Sequence, residues 1–143
     1  MQNHCQISTP KEYVKSMLDL VGYTKNLHGK TVLENSCGEG DILIEIVRRY
    51  ITDCRKQGYS DDVIKTGITR DIKAYEIDAQ CVLKCIANLT TVAEELGLSD
   101  IQWNIEHSDY LESKAADYDF IVGNPPYITY HDLTVETLSL IHI

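Results

Sequence analysis

The chain has 143 residues, 43% of them hydrophobic and 24% charged, and a formal charge of −9. That length holds one domain, the composition argues against disorder, and the acidic balance argues against an extended nucleic-acid surface on this stretch, because phosphate affinity rests on Lys and Arg. No apolar run approaches the ~20 residues of a membrane span, and Met1-Gln2-Asn3-His4-Cys5 has neither the basic start nor the apolar core of a signal peptide, so a cytoplasmic protein without a membrane partner is expected. Five cysteines (Cys5, Cys37, Cys54, Cys81, Cys85) form no Cys-x-x-Cys pair and read as free thiols, with no metal site.

Thr9-Pro10-Lys11-Glu12 has the form of a capping box, with Thr9 as N-cap and Pro10 at the first helical position. The helix it opens carries Tyr13, Val14, Met17, Leu18 and Val21 on one face and stops at Gly22. Thr31-Val32-Leu33-Glu34 reads as a short buried strand, and Asn35-Ser36-Cys37-Gly38-Glu39-Gly40-Asp41 turns from it into a helix bearing Ile42, Leu43, Ile46, Val47 and Tyr50. A Gly-x-Gly alone is as readily a plain tight turn; between a buried strand and an apolar helix it fits a ligand loop better. Gly38 and Gly40 would let the backbone pass close to a ligand that a Cβ would meet. Residues 51–70 read as a polar surface crossover with a short helix near Asp61 to Lys65.

Ile72 to Asp78 has the features of a second strand ending in acids. A solvated acid is the plain reading there; after a glycine loop, Glu76 becomes a candidate for accepting hydrogen bonds from ribose hydroxyls, and Asp78 for capping the next helix. That helix has an apolar stripe, Val82, Leu83, Ile86, Leu89, Val92, Ala93 and Leu96, and ends at Gly97. Cys81 and Cys85 lie four apart on it and read as buried thiols. Ile101 to Glu106 alternates apolar and polar, as an edge strand does, and runs into His107-Ser108-Asp109. Asp119-Phe120-Ile121-Val122-Gly123-Asn124-Pro125-Pro126-Tyr127 then gives a strand buried on both faces that breaks into a rigid turn, since neither proline can continue a ladder.

Asn124-Pro125-Pro126-Tyr127 after an apolar strand resembles the catalytic motif of S-adenosylmethionine-dependent N6-adenine DNA methyltransferases of the restriction-modification type. The resemblance implies a Rossmann-like class I methyltransferase sheet, mostly parallel, in the order 3-2-1-4-5 with helices on both faces. Glu34 to Gly40 resembles that family's Asp-Pro-x-Cys-Gly-x-Gly, with Glu34 for Asp, Asn35 for Pro, and Cys37, Gly38 and Gly40 matching. It implies that Thr9-Pro10 lies near the cofactor's methionine carboxylate, Glu34 near its ammonium, Glu76 on its ribose and Asp109 on its adenine amino group. The Asn124 side-chain oxygen and the Pro125 carbonyl would accept the two N–H bonds of the target nitrogen, with Tyr127 stacked on the target base. The same residues occur in enzymes acting on RNA adenine or on a release-factor glutamine amide; the Thr-Pro helix before the glycine loop favours DNA.

The resemblance covers nearly all of residues 8–130: a helix on the cofactor side (8–22) and a cofactor and catalytic core (31–130), with residues 131–143 unassigned. Only about the first four strands of the family's sheet are expected here. DNA would then be held through a region largely absent from this stretch. The opposing reading is a fragment, or a cofactor-binding half that needs a second subunit or a C-terminal half.

Overall fold

A computed structural model of the chain describes Cys5, residues 8–109 and residues 117–123. Among the described residues four helices and four strands follow in the order α1 (Lys11–Val21), β1 (Val32–Glu34), α2 (Asp41–Lys56), α3 (Asp61–Asp71), β2 (Ile72–Glu76), α4 (Ala79–Glu95), β3 (Asn104–His107) and β4 (Phe120–Val122). The strands form one parallel sheet in the order β3-β2-β1-β4, flanked by helices on both faces, a partial class I methyltransferase sheet of the Rossmann-like kind. Among the described residues no helix is long and apolar enough to cross a membrane.

The register follows from specific polar ties. Thr31 N–H donates to the Asp119 carboxylate at 2.8 Å and Asp119 N–H donates to the Thr31 hydroxyl at 3.0 Å, which aligns Val32 with Phe120. Burial tracks position in the sheet. Every residue of β1 is buried and all but one of β2, whereas β3, at the edge, has none. In β4, Val122 is buried but Phe120 and Ile121 are only partly so. The expectation of a strand covered on both faces is corrected there, because β4 pairs with β1 on one side and has no second strand among the described residues. Phe120 instead packs edge-on against the fully buried ring of Tyr23, 5.2 Å between centroids.

At the amino ends of the strands two buried acids organise the segment before β1. Asp53 accepts from the backbone N–H groups of Asn26 and Leu27 at 3.0 and 2.9 Å. Asp71 accepts from Gly29 N–H at 2.7 Å and from the Tyr50 hydroxyl at 2.6 Å, while Arg70 pairs with it. Burial raises the Asp71 carboxyl, and the bonds from Arg70, Tyr50 and Gly29 outweigh that and hold it below the ordinary carboxylate value. Gly67, inside α3, is what admits Tyr50: a Cβ there would lie 2.2 Å from the hydroxyl oxygen.

Several local expectations need correction. Residues 51–70 are not a polar surface crossover. The second helix runs on to Lys56 and α3 is a full helix capped by Ser60, so that Ile51, Cys54, Ile64 and Ile68 join the core. The first helix starts at Lys11 with Pro10 as N-cap and no side-chain cap bond, since proline supplies no side-chain acceptor; Thr9 N–H instead donates to the Asp41 carboxylate at 2.7 Å. Tyr13 and Leu83, expected on apolar faces, point outward at 52% and 67% exposure. Of the run Ile101 to Glu106 only Asn104 to Glu106 lie in β3, which continues to His107, and Ile101 to Trp103 precede it.

The cysteines are not all free. Cys5 and Cys81 form a disulfide across 76 residues of sequence, whereas Cys37, Cys54 and Cys85 are buried free thiols. Their spacing gave no sign of this, because the pair meets only when the segment before α1 reaches the first turn of α4.

Candidate functional site

Parallel strands deliver their carboxyl ends to one rim, and there the loop after β1 takes its shape from hydrogen bonds to its neighbours. Cys37 N–H donates to the Tyr75 carbonyl at 3.0 Å, and Gly38 N–H donates to the Glu76 carboxylate at 2.8 Å. The glycine loop is thereby fastened across the end of β2. Gly40, at φ +100°, closes the loop and is the N-cap of α2. This is the left-handed region, which glycine occupies without a Cβ penalty. The thiol of Cys85, one turn beyond Cys81 on α4, lies beneath it: a Cβ on Gly40 would come within 2.9 Å of that sulfur. The hydrogen bond with Cys85, and then burial, push the Cys37 thiol far above its ordinary value, so it remains a neutral thiol.

Glu76 is buried, its second oxygen accepting from Asp78 N–H at 3.1 Å. A carboxylate offers about four lone-pair positions, so two remain for a ligand after these backbone bonds. Asp78, as expected, caps α4 by accepting from Gln80 and Cys81 N–H. Between the two acids, Ile77 is 66% exposed and offers an apolar surface on the same rim. Sequence reading passed over it, although an apolar residue between two acids at a strand end is a visible signal. The His107 ring lies 2.9 Å from the Ile77 carbonyl and ties the end of β3 to this turn. Asp109 follows β3 and is half-buried.

Glu34, at the end of β1, is 1% exposed. One of its oxygens accepts from Ser36 N–H at 3.1 Å, and the other is buried without a hydrogen-bond partner. Burial is the main force on its carboxyl, with the charges of Glu76 and Asp41 adding to it against the Ser36 bond, and the value is raised to about 8. A buried polar atom without a partner costs free energy.

The rim therefore brings together Glu34, Cys37, Gly38, Gly40 and Glu76, with Thr9 and Pro10 tied to the start of α2 through Asp41. Asp109 stands at the end of the neighbouring edge strand. Asn124, Pro125, Pro126 and Tyr127 lie outside the described residues; Gly123, the residue before them, packs against the Asn35 side chain. An open depression of about 560 Å³ lies elsewhere, between the end of α1 and α2, where Arg49 is already paired with Asp19 and Glu45. The rim is the better site because its polar groups converge and one of them is unsatisfied. Glycines that let the backbone approach a ligand, an acid with open lone pairs and a buried carboxyl oxygen without a partner meet on this rim.

No protein-family profile matches the sequence. The type II methyltransferase M.BstVI of Geobacillus stearothermophilus is 30% identical over 138 residues, which is 87% of this chain and 25% of that protein. The chain thus spans about a quarter of its length. An RNA methyltransferase from Salinibacter ruber, solved with S-adenosyl-L-homocysteine, shares the fold at a TM-score of 0.50 and 21% identity, covering 80% of this chain and 57% of that one. A predicted N6-adenine-specific DNA methylase from Listeria monocytogenes does so at a TM-score of 0.51 and 17% identity, over 97% of this chain and 40% of that one. The chain is thus similar in sequence to a stretch of a type II methyltransferase, and its four-stranded parallel sheet shares the Rossmann-like fold of class I methyltransferases.

Proposed function

We propose that this chain is the cofactor-binding and catalytic-loop part of a methyltransferase that methylates the exocyclic N6 amino group of adenine in DNA, within a restriction-modification system. The observation that supports the reading is the bond from Gly38 N–H to the Glu76 carboxylate, which holds the glycine loop beside the acid of the next strand. When bound, S-adenosylmethionine supplies an electrophilic methyl group on a sulfonium. The remaining lone pairs of Glu76 accept from the ribose hydroxyls, Asp109 accepts from the adenine amino group, and Ile77 lies against the base. Glu34 faces the ammonium, and the Thr9-Pro10 entry to α1 lies by the carboxylate, where a helix N-terminus favours an anion. Cys37, Gly38 and Gly40 form the backbone cradle.

At the catalytic turn, the Asn124 side-chain oxygen and the Pro125 carbonyl accept the two N–H bonds of the target amino group. An exocyclic adenine nitrogen is a poor nucleophile because its lone pair is delocalised into the ring. Fixed acceptors localise that pair and stabilise the positive charge that develops on nitrogen; single contacts of this kind are worth ~3 kcal/mol. Pro126 keeps the turn rigid, and Tyr127 stacks on a base flipped out of its duplex. With a net charge of −9, this stretch leaves DNA backbone binding to a further region or a second subunit.

The test has two steps on the full 143-residue chain. Calorimetric titration of S-adenosylhomocysteine into folded protein should show saturable binding that Glu76→Ala and Asp109→Ala weaken; absence of binding to a chain shown folded by circular dichroism would overturn the cofactor reading. Methyl-labelled S-adenosylmethionine is then supplied with adenine-containing DNA, RNA and release-factor protein. Label in the DNA fraction supports the reading, and label confined to RNA or protein would replace the substrate.

A further inference from the structure

We infer that Asn35 is a positioning residue that seats the end of β4, as far as Gly123, against the cofactor loop. The inference rests on the reading of the rim as a methyltransferase site. The sheet order sends the chain from β1 outward to β2 and β3 and back to β4 on the other side, so β1 and β4 flank the switch point at which such sheets bind ligands. Asn35 is the first residue after β1, and Gly123 is the first after β4.

Asn35 reaches β4 in two ways. Its N–H donates to the Val122 carbonyl at 3.4 Å. Its side chain lies over Gly123, where a Cβ would be 2.2 Å from Oδ1, 3.1 Å from Cγ and 3.5 Å from Nδ2. Gly123 does not have a positive φ, so its backbone conformation does not demand glycine. The space taken by the Asn35 amide does. The Asn35 oxygen is buried and accepts no hydrogen bond, so that oxygen is not engaged in folding its own loop.

The loop that begins at Asn35 is fastened to β2 through Cys37 and Gly38, and to β4 through Asn35. A ligand that orders the loop therefore also orders the residue before Asn124. The proline of the resembled motif lacks the N–H that bonds Val122 and the amide that covers Gly123. This chain makes the connection with a backbone N–H to Val122 and a side-chain amide over Gly123 instead.

Hydrogen exchange read by mass spectrometry on the full chain, with and without S-adenosylhomocysteine, tests this. In the unaltered protein the ligand should slow exchange both in the peptide around Gly38 and in the peptide from Ile121 to Tyr127. In Asn35→Ala the first protection should remain, while the second peptide exchanges roughly tenfold faster and no longer responds to ligand. A ligand response in the second peptide that survives Asn35→Ala would overturn the proposal. If the unaltered, folded chain shows no ligand protection anywhere, the cofactor reading fails; the comparison of unliganded Asn35→Ala with unliganded parent at residues 121–127 still decides the role of Asn35. Gly123→Ala should lower the melting temperature, and Asn35→Ala/Gly123→Ala should recover it, because the methyl then occupies vacated space. A Gly123→Ala protein as stable as the parent would also overturn the proposal.

Discussion

Glu34 makes the most direct link between burial, pH and ligand. Its carboxyl is raised from 4.5 to about 8, chiefly by burial. Because the folded-state value stands above the unfolded one, its stabilising contribution is complete below pH 4.5 and is lost as pH rises through about 8. At about 1.4 kcal/mol for each tenfold change in proton concentration, moving the titration over that interval amounts to about 5 kcal/mol. Glu34→Gln keeps the shape and cannot ionise. Denaturant titrations of parent and variant at half-unit steps from pH 4.5 to 9 should give a stability difference that moves steadily in favour of the variant and levels off above pH 8. Other titrating groups cancel in that difference. A flat difference would refute the reasoning, because it would mean that Glu34 ionises in the fold as easily as in the unfolded chain. The same group reports on the ligand: at pH 7 about nine-tenths of it is protonated, and an ammonium placed beside it drives ionisation, so binding should release close to one proton. Calorimetry in two buffers of different ionisation enthalpy measures that release, and Glu34→Gln should abolish it.

Tyr50→Phe removes the hydroxyl that donates to Asp71 at 2.6 Å and should cost about 2 kcal/mol by thermal or urea unfolding. Asp71 is held below its ordinary value, so its contribution is present above that range and lost on acidification; Asp71→Asn should cost most near neutral pH and progressively less toward pH 3. Gly67→Ala sets propensity against packing. Alanine is the better helix former by about 1 kcal/mol, yet a Cβ 2.2 Å from the Tyr50 oxygen should make the variant less stable by about 1–3 kcal/mol, with Tyr50→Phe/Gly67→Ala less affected. Opening the Cys5–Cys81 bond frees 76 residues of unfolded chain, and loop entropy puts the loss near 4 kcal/mol. Cys5→Ser should unfold at correspondingly lower denaturant, and thiol titration of the denatured parent should find three free thiols without reductant and five with it.

What could be read in advance was whatever local chemistry decides. The helix stripe from Ile42 to Tyr50, the cap at Asp78 and the stop at Gly22 are short-range patterns, and the fold keeps each of them. The capping box at Thr9 was equally local and failed: Pro10 takes the N-cap position, and the backbone N–H of Thr9 donates to Asp41, 32 residues away. The segment from 51 to 70 was misread for a related reason. Its apolar residues are few and Gly67 interrupts them, so the composition looks like surface. Only the approach of Tyr50 to Asp71 shows that the glycine is there to admit a neighbour, and that Ile64 and Ile68 face the core.

The site divides along the same line. Glu34, Gly38, Gly40 and Glu76 could be named because strand, glycine loop, helix and strand-end acid form an order that survives in one dimension. What binds them into one place, the Gly38 to Glu76 hydrogen bond, spans 38 residues and has no mark in the sequence. Asn35 was legible only as a departure from proline, a change that loosens a turn. In the fold the departure acquires a partner: the amide covers Gly123, and its N–H meets the Val122 carbonyl. A substitution that seems to weaken a loop taken alone can strengthen its attachment to the next strand. Residues 35 and 123 should therefore be altered together before either is judged alone.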